Sequence, residues 1–144
     1  MEQPEVFCLK LPARYRNLEL LSHCIDLLLA DLPGQTEQEQ IIYGIKLAVH
    51  EVANNMIEHA YGHEQGVLDI ALHFDASSTS FIATLHDTGA AFEAMKAPTP
   101  NLDVAHESGY GLFLAAQLMD EVNYQRQADG NHWRLVKRFL LSLG

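Results

Sequence analysis

Two long stretches of this chain repeat their apolar residues at helical spacing, and strand-like alternation surrounds them. Leu18, Leu21, Ile25, Leu28, Leu29 and Leu32 share one side of the first stretch. Ile41, Ile45, Ala48, Val49, Val52, Met56 and Ile57 share one side of the second. Asn17 is placed to cap the first helix, and Leu32-Pro33-Gly34 stops it. Thr36-Glu37-Gln38-Glu39 has the form of a capping box for the second, which runs to about Tyr61 and ends at Gly62. Strand character marks Glu5 to Leu11, Gly66 to Asp75, Thr79 to Asp87, Val122 to Gln127 and His132 to Leu140. Leu68, Ile70, Leu72 and Phe74 fall on one face of their strand, and Phe81, Ala83 and Leu85 on one face of the next. Asp129-Gly130 signals a hairpin between the last two strands. Residues 88–108 show no periodicity and read as a functional loop, a lid, before a third helix over Leu112 to Met119. The order β-α-α-β-β-lid-α-β-β predicts an α+β fold. Its architecture is a two-layer α/β sandwich, a mostly antiparallel sheet covered by about three helices, with residues 1–144 as a single domain.

Composition narrows the functions open to such a domain. Of 144 residues, 48% are hydrophobic and 19% charged, a balance that favours a packed core over disorder. Nineteen acidic against nine basic side chains give a formal net charge of −10, and the longest basic run is Lys137-Arg138. Phosphate backbones would repel such a surface, so nucleic acid is disfavoured as a partner. Cys8 and Cys24 lie in apolar stretches without metal-ligand spacing and read as buried thiols. The opening Met-Glu-Gln-Pro-Glu has no signal-peptide character, and no apolar run approaches the ~20 residues of a membrane span. The expectation is a cytoplasmic protein that meets no membrane.

Three segments carry chemistry. Glu51, Asn55 and His59 recur every fourth residue and form a polar stripe along the second helix. The stripe suits either a solvated helix face or a carboxylate and amide poised near a metal-bound phosphate. Asp87-Thr88-Gly89 puts a carboxylate at a strand end, followed by a residue that lets backbone turn or approach a ligand. Such a trio also marks ordinary turns. Ser108-Gly109-Tyr110-Gly111-Leu112 stands before a helix, where backbone N–H groups can meet phosphate oxygens or simply give a flexible helix entrance. His59 and His63 are four apart, but no HExxH accompanies them and no third zinc ligand is recognisable. Trp133 and Phe139 read as core or dimer packing.

In this order and spacing the three segments resemble the N box, G1 box and G2 box of the GHKL (Bergerat-type, histidine-kinase-like) ATPases. The helix segment is similar to the E-x-x-x-N-x-x-x-H-x-Y pattern of anti-sigma-factor serine/threonine kinases. Leu118-Met119-Asp120-Glu121-Val122 is similar to the strand entry after their second glycine box. The resemblance covers about residues 5–140. It implies ATP and Mg²⁺ as cofactors, with Glu51 as general base and Asn55 as the Mg²⁺ ligand. It further implies Asp87 as adenine reader with Gly89 beside it, and His59, Ala91, Gly109, Tyr110, Gly111 and Leu112 in the ATP-binding segments. Ala91 stands where many members have a second glycine, which narrows the adenine pocket. Glu107 stands where the sporulation-type kinase has an arginine directed at the γ-phosphate, leaving Lys96 and His106 as the lid's positive groups.

The activity implied is that of a regulatory protein kinase that sequesters a sigma factor and phosphorylates a STAS-domain antagonist, the anti-anti-sigma protein. A homodimer is the assembly the family suggests. One rival is a non-catalytic ATP-gated switch that binds a STAS protein or phosphatase. Another, the catalytic domain of a histidine kinase, is disfavoured because the chain has no room for dimerisation helices and a phospho-accepting histidine.

Overall fold

The computed structural model describes residues 5–33, 35–61, 66–91 and 107–140, with backbone alone at 35–37, 61 and 107–109. Strand β1 (Val6–Pro12) leads through a 3₁₀ turn, Tyr15–Leu18, into helix α1 (Glu19–Leu28). Helix α2 (Gln35–Asn55) continues as a wider π-helical segment, Met56–Tyr61. Strands β2 (Val67–Asp75) and β3 (Ser80–Asp87) follow, then α3 (Glu107–Leu118), β4 (Glu121–Gln127) and β5 (Gly130–Arg138). The five strands form one sheet in the order β1-β2-β3-β5-β4, with every neighbouring pair antiparallel. The expected sandwich is therefore the observed one.

Alternation decides which face the helices cover. Leu68, Ile70 and Leu72 of β2, Phe81, Ala83 and Leu85 of β3, and Trp133 and Leu135 of β5 point into the core. Leu21, Ile25 and Leu29 meet them from the first helix and its cap, and Ile45, Ala48, Val49 and Val52 from α2. Burying one leucine-sized side chain contributes roughly 1.5–3 kcal/mol, so this layer supplies most of the drive to fold. Gly44 sets the approach of α3: a Cβ there would lie 3.3 Å from Leu118 Cδ2. The other face of the sheet carries Asp69, Thr84, His86, Asn123, Gln125, His132 and Arg134, none of them buried.

Several local expectations change. Asn17 does not cap α1; its Nδ2 donates to the Pro12 carbonyl at 2.9 Å, while Leu18 occupies the N-cap. A 3₁₀ turn precedes the helix and moves the capping position past Asn17. The first helix ends at Leu28 rather than Leu32, because its last turn tightens through Ala30 N–H to Leu27 O. Pro12 stays within β1, at a sheet edge where a missing N–H costs little. Cys8 is exposed and Cys24 half-buried, since Cys8 falls on the strand positions facing away from the helices. Phe74 is half-buried rather than fully enclosed, packing edge-on against Phe139. The capping box at Thr36 and the stop at Gly62 lie outside the described residues.

Candidate nucleotide site

Asp87 ends β3 and is 1% exposed. Its Oδ1 accepts from the Gly89 N–H at 2.9 Å and from Asn131 Nδ2 at 2.7 Å. Its Oδ2 is buried with no hydrogen-bond partner among the described residues. A buried carboxylate oxygen without a donor is costly, and such an atom marks a place where a ligand's N–H belongs. Burial pushes the Asp87 carboxyl above its ordinary value; Asn131, Gly89, His86 and Arg126 pull the other way.

The support for this carboxylate comes from the closing hairpin. Asn131, also 1% exposed, donates a second bond to the Ala90 carbonyl at 2.8 Å. Its Oδ1 accepts from the Tyr124 hydroxyl and from Arg126 at 3.3 Å. Arg126 also donates to the Gly89 carbonyl at 2.6 Å, tying β4 to the loop after Asp87. Gly130 has φ 132°, and a Cβ there would overlap the Asp87 carbonyl oxygen. Sequence reading took Asp129-Gly130 only as a turn. The pairing of Asp87 with Asn131 across β3 and β5 is what it could not see.

Gly89 lies against the π-helical segment, where a Cβ would overlap the Ala60 backbone, and Ala90 N–H donates to the Ala60 carbonyl at 2.9 Å. Wide helical turns of this kind recur at functional sites. The stripe on α2 is not a solvated face. Asn55 is 4% exposed, and Glu51 and His59 are half-buried on either side of it. Asn55 Nδ2 donates to the Glu51 carbonyl at 2.7 Å, which leaves Oδ1 as its atom for a ligand.

Helix α3 starts at Glu107, so Gly109 and Gly111 sit inside the helix rather than before it. Glycine's low helix propensity hides this start from a propensity reading. Contact explains it: a Cβ on Gly111 would overlap the Glu51 carboxylate and lie 3.7 Å from Asn55 Nδ2. The α2 stripe and the second glycine segment thus meet in space. An α-helix leaves its first four N–H groups without internal partners, here those at the helix start up to and including Gly109. Tyr110 is exposed and leans on Phe113, whereas Leu112 is buried in the core. Ala91 is exposed at the end of the loop after Asp87. The lid residues 92–106, with Lys96 and His106, and the Glu107 side chain lie outside the described residues.

A nucleoside triphosphate fits the donor set: a buried acceptor at a strand end, an amide oxygen on a helix, and open N–H groups at a helix start. Residues 11–137 match the histidine kinase-like ATPase domain, and the chain belongs to that family. Among curated proteins it is similar to the serine-protein kinase RsbW of Staphylococcus aureus. It is 32% identical to that of strain MSSA476 and 30% to that of strain MRSA252, each over 91 residues. Those matches cover 58% of this chain and 57% of each relative, so the likeness spans little more than half the length of either. Among solved structures, the RsbU and RsbW domains of Rv1364c from Mycobacterium tuberculosis superpose with a TM-score of 0.66 at 19% identity, covering 93% of this chain and 32% of that one. The blue-light activated histidine kinase of Erythrobacter litoralis EL346 superposes with a TM-score of 0.58 at 19% identity, covering 85% of this chain and 40% of that one. At such identity the superpositions speak for the fold. Among the described residues, no helix is long and apolar enough to cross a membrane.

Proposed function

We propose that this chain is an ATP-dependent regulatory serine/threonine protein kinase of the anti-sigma type, which holds a sigma factor and phosphorylates a STAS-domain antagonist. The observation that carries the reading is Gly111 seated against Glu51 and Asn55, which joins a carboxylate, an amide and a glycine-bearing helix start. Asp87 Oδ2 accepts from the exocyclic amine of adenine, and Gly89 lets backbone come close beside it. The open N–H groups at the start of α3 receive phosphate oxygens. Asn55 Oδ1 holds Mg²⁺, an ion that takes few protein ligands and keeps its waters. When bound, Mg·ATP supplies the phosphoryl group and part of the charge neutralisation that its transfer needs. Glu51 accepts the proton of the attacking serine hydroxyl. A cytoplasmic homodimer is the form in which we expect the chain to act.

The likeness to RsbW supports the choice of partners. The test is incubation with labelled ATP and the STAS protein encoded nearest to this chain. One serine of that partner becomes labelled, and Glu51→Gln abolishes the label while ATP still binds. STAS partners that bind and are never labelled would contradict kinase activity. The reading would then be an ATP-gated binding switch, which Glu107, an acid at the base of the lid, favours.

A further inference from the structure

The sheet face turned away from the helices carries one row of side chains that the nucleotide site does not use. Registered pairing aligns Lys10, Asp69, His86, His132 and Gln125 across all five strands. At its centre the His86 and His132 rings stack, with centroids 4.4 Å apart and planes 26° from parallel. Asp129, in the β4–β5 turn, reaches both rings, and its carbonyl oxygen lies 3.1 Å from His86 Nε2. His132 Nε2 lies 2.7 Å from Asp129 Oδ1, and His86 Nε2 lies 3.6 Å from Asp129 Oδ2. One ligand atom from each of the three residues falls within 4.8 Å of the others. Asp69 Oδ2 sits 3.7 Å from the other His86 nitrogen, Nδ1.

We infer that His86, His132 and Asp129 form a binding site for a divalent transition-metal ion, with Asp69 orienting His86 from behind. Two imidazoles and one carboxylate suit Zn²⁺, Co²⁺ or Ni²⁺ rather than Mg²⁺, which prefers oxygen. Three protein ligands leave room for water, the usual make-up of an open zinc site. Zn–N and Zn–O bonds are ~2.0–2.2 Å, so the donors must draw together by about an ångström. Asp129, whose side chain is 64% exposed on a hairpin tip, can swing to meet the ion, and the two stacked rings must turn their Nε2 atoms toward it. Asp69 Oδ2, at 3.7 Å, is close enough to His86 Nδ1 to hydrogen-bond it once the ring turns to the ion, the carboxylate arrangement that recurs behind metal-bound histidines. His86 and Asp87 are consecutive on β3, as are Asn131 and His132 on β5, and each pair points to opposite faces. The ion would clamp, from behind, the two strands that hold the Asp87–Asn131 bond.

The test is titration of tag-free full chain with zinc chloride by calorimetry and with cobalt chloride by visible absorption. One equivalent binds, cobalt gives the intense bands of a four-coordinate site, and zinc raises the melting temperature. His86→Ala and His132→Ala each weaken binding by well over tenfold, Asp69→Asn by about tenfold, and Cys8→Ser has no effect. Should a histidine variant fold poorly, imidazole NMR of the wild type decides: zinc must shift the His86 and His132 signals and spare those of His23 and His50. Binding unchanged in the variants, dependence on Cys8, or weak uptake spread over many histidines would overturn the site.

Discussion

Asn131 Nδ2 lies 2.7 Å from Asp87 Oδ1 while Asp87 Oδ2 has no partner among the described residues, so one buried amide holds half of one buried carboxylate. In the proposed nucleotide site, this arrangement makes Asn131 a positioning residue. Asn131→Ala removes that donor and also an acceptor of the Tyr124 hydroxyl. Denaturant unfolding should show a loss of about 1–3 kcal/mol, and calorimetry a weaker grip on ATP. Asn131→Asp should be worse, since two carboxylates would then face each other. Wild-type affinity in either variant would remove the hairpin from the site.

Asp87 also gives the molecule a pH signature. Its folded pKa is raised, chiefly by burial, so between the ordinary value near ~3.9 and the raised one the native state binds more protons than the unfolded state. Stability from this group is therefore fully present below the unfolded pKa and is lost as pH rises through the folded pKa. Nucleotide binding runs the other way, because only the ionised form is purely an acceptor. ATP affinity should fall as pH drops through the raised pKa. Asp87→Asn keeps an oxygen for Gly89 and Asn131 and removes the buried charge. It should stabilise the fold at neutral pH by about 1 kcal/mol and flatten this part of the pH profile of unfolding. A destabilised variant with the same profile would contradict the assignment.

Gly111→Ala sets a methyl group against the Glu51 carboxylate. Glu51 must swing aside, and misplacing a reacting group by about an ångström can cost ~100-fold in rate. The variant should bind ATP within a few-fold of wild type and lose phosphoryl transfer by about that factor. Gly130→Ala acts differently, through strain at φ 132° and overlap with the Asp87 carbonyl. It should lower the melting temperature, by a cost of about 1–3 kcal/mol.

In the proposed mechanism Glu51 and Asn55 of α2 divide the work. Asn55→Ala should weaken Mg·ATP, while Glu51→Ala should leave binding largely intact and abolish turnover. Calorimetry of both variants distinguishes the roles. Equal loss of binding in the two would refute the division.

Much of this was legible from residue patterns. Alternation in β2 and β3 chose the buried face correctly, and the four-residue recurrence of Glu51, Asn55 and His59 marked the stretch of α2 against which Gly111 packs. What stayed hidden depends on partners distant in sequence. Glycine's poor helix propensity masked the start of α3 because its reason, Glu51, lies 60 residues earlier. Asn131 carries no local signal, and only the pairing of β5 with β3 brings it to Asp87. His86 and His132 carry no local spacing signal, since strand register alone stacks them. Cys8 shows the opposite failure: residue type favoured burial, and an edge strand facing solvent overrode it.

The central claim is that Asp87 reads adenine, and nucleotide choice tests it most directly. An ionised carboxylate accepts from the exocyclic amine of adenine, whereas guanine offers a carbonyl oxygen there and would leave two acceptors opposed in a dry pocket. Sites built on such a bond discriminate by ~10⁴ when fully enclosed, and this one should prefer ATP over GTP by about 100-fold. Competition of the two nucleotides for a fluorescent ATP analogue, with wild type and Asp87→Asn side by side, gives the ratio. Wild type should strongly prefer ATP, and Asp87→Asn should bind ATP more weakly with a narrowed gap. Comparable affinity of the wild type for ATP and GTP would contradict it.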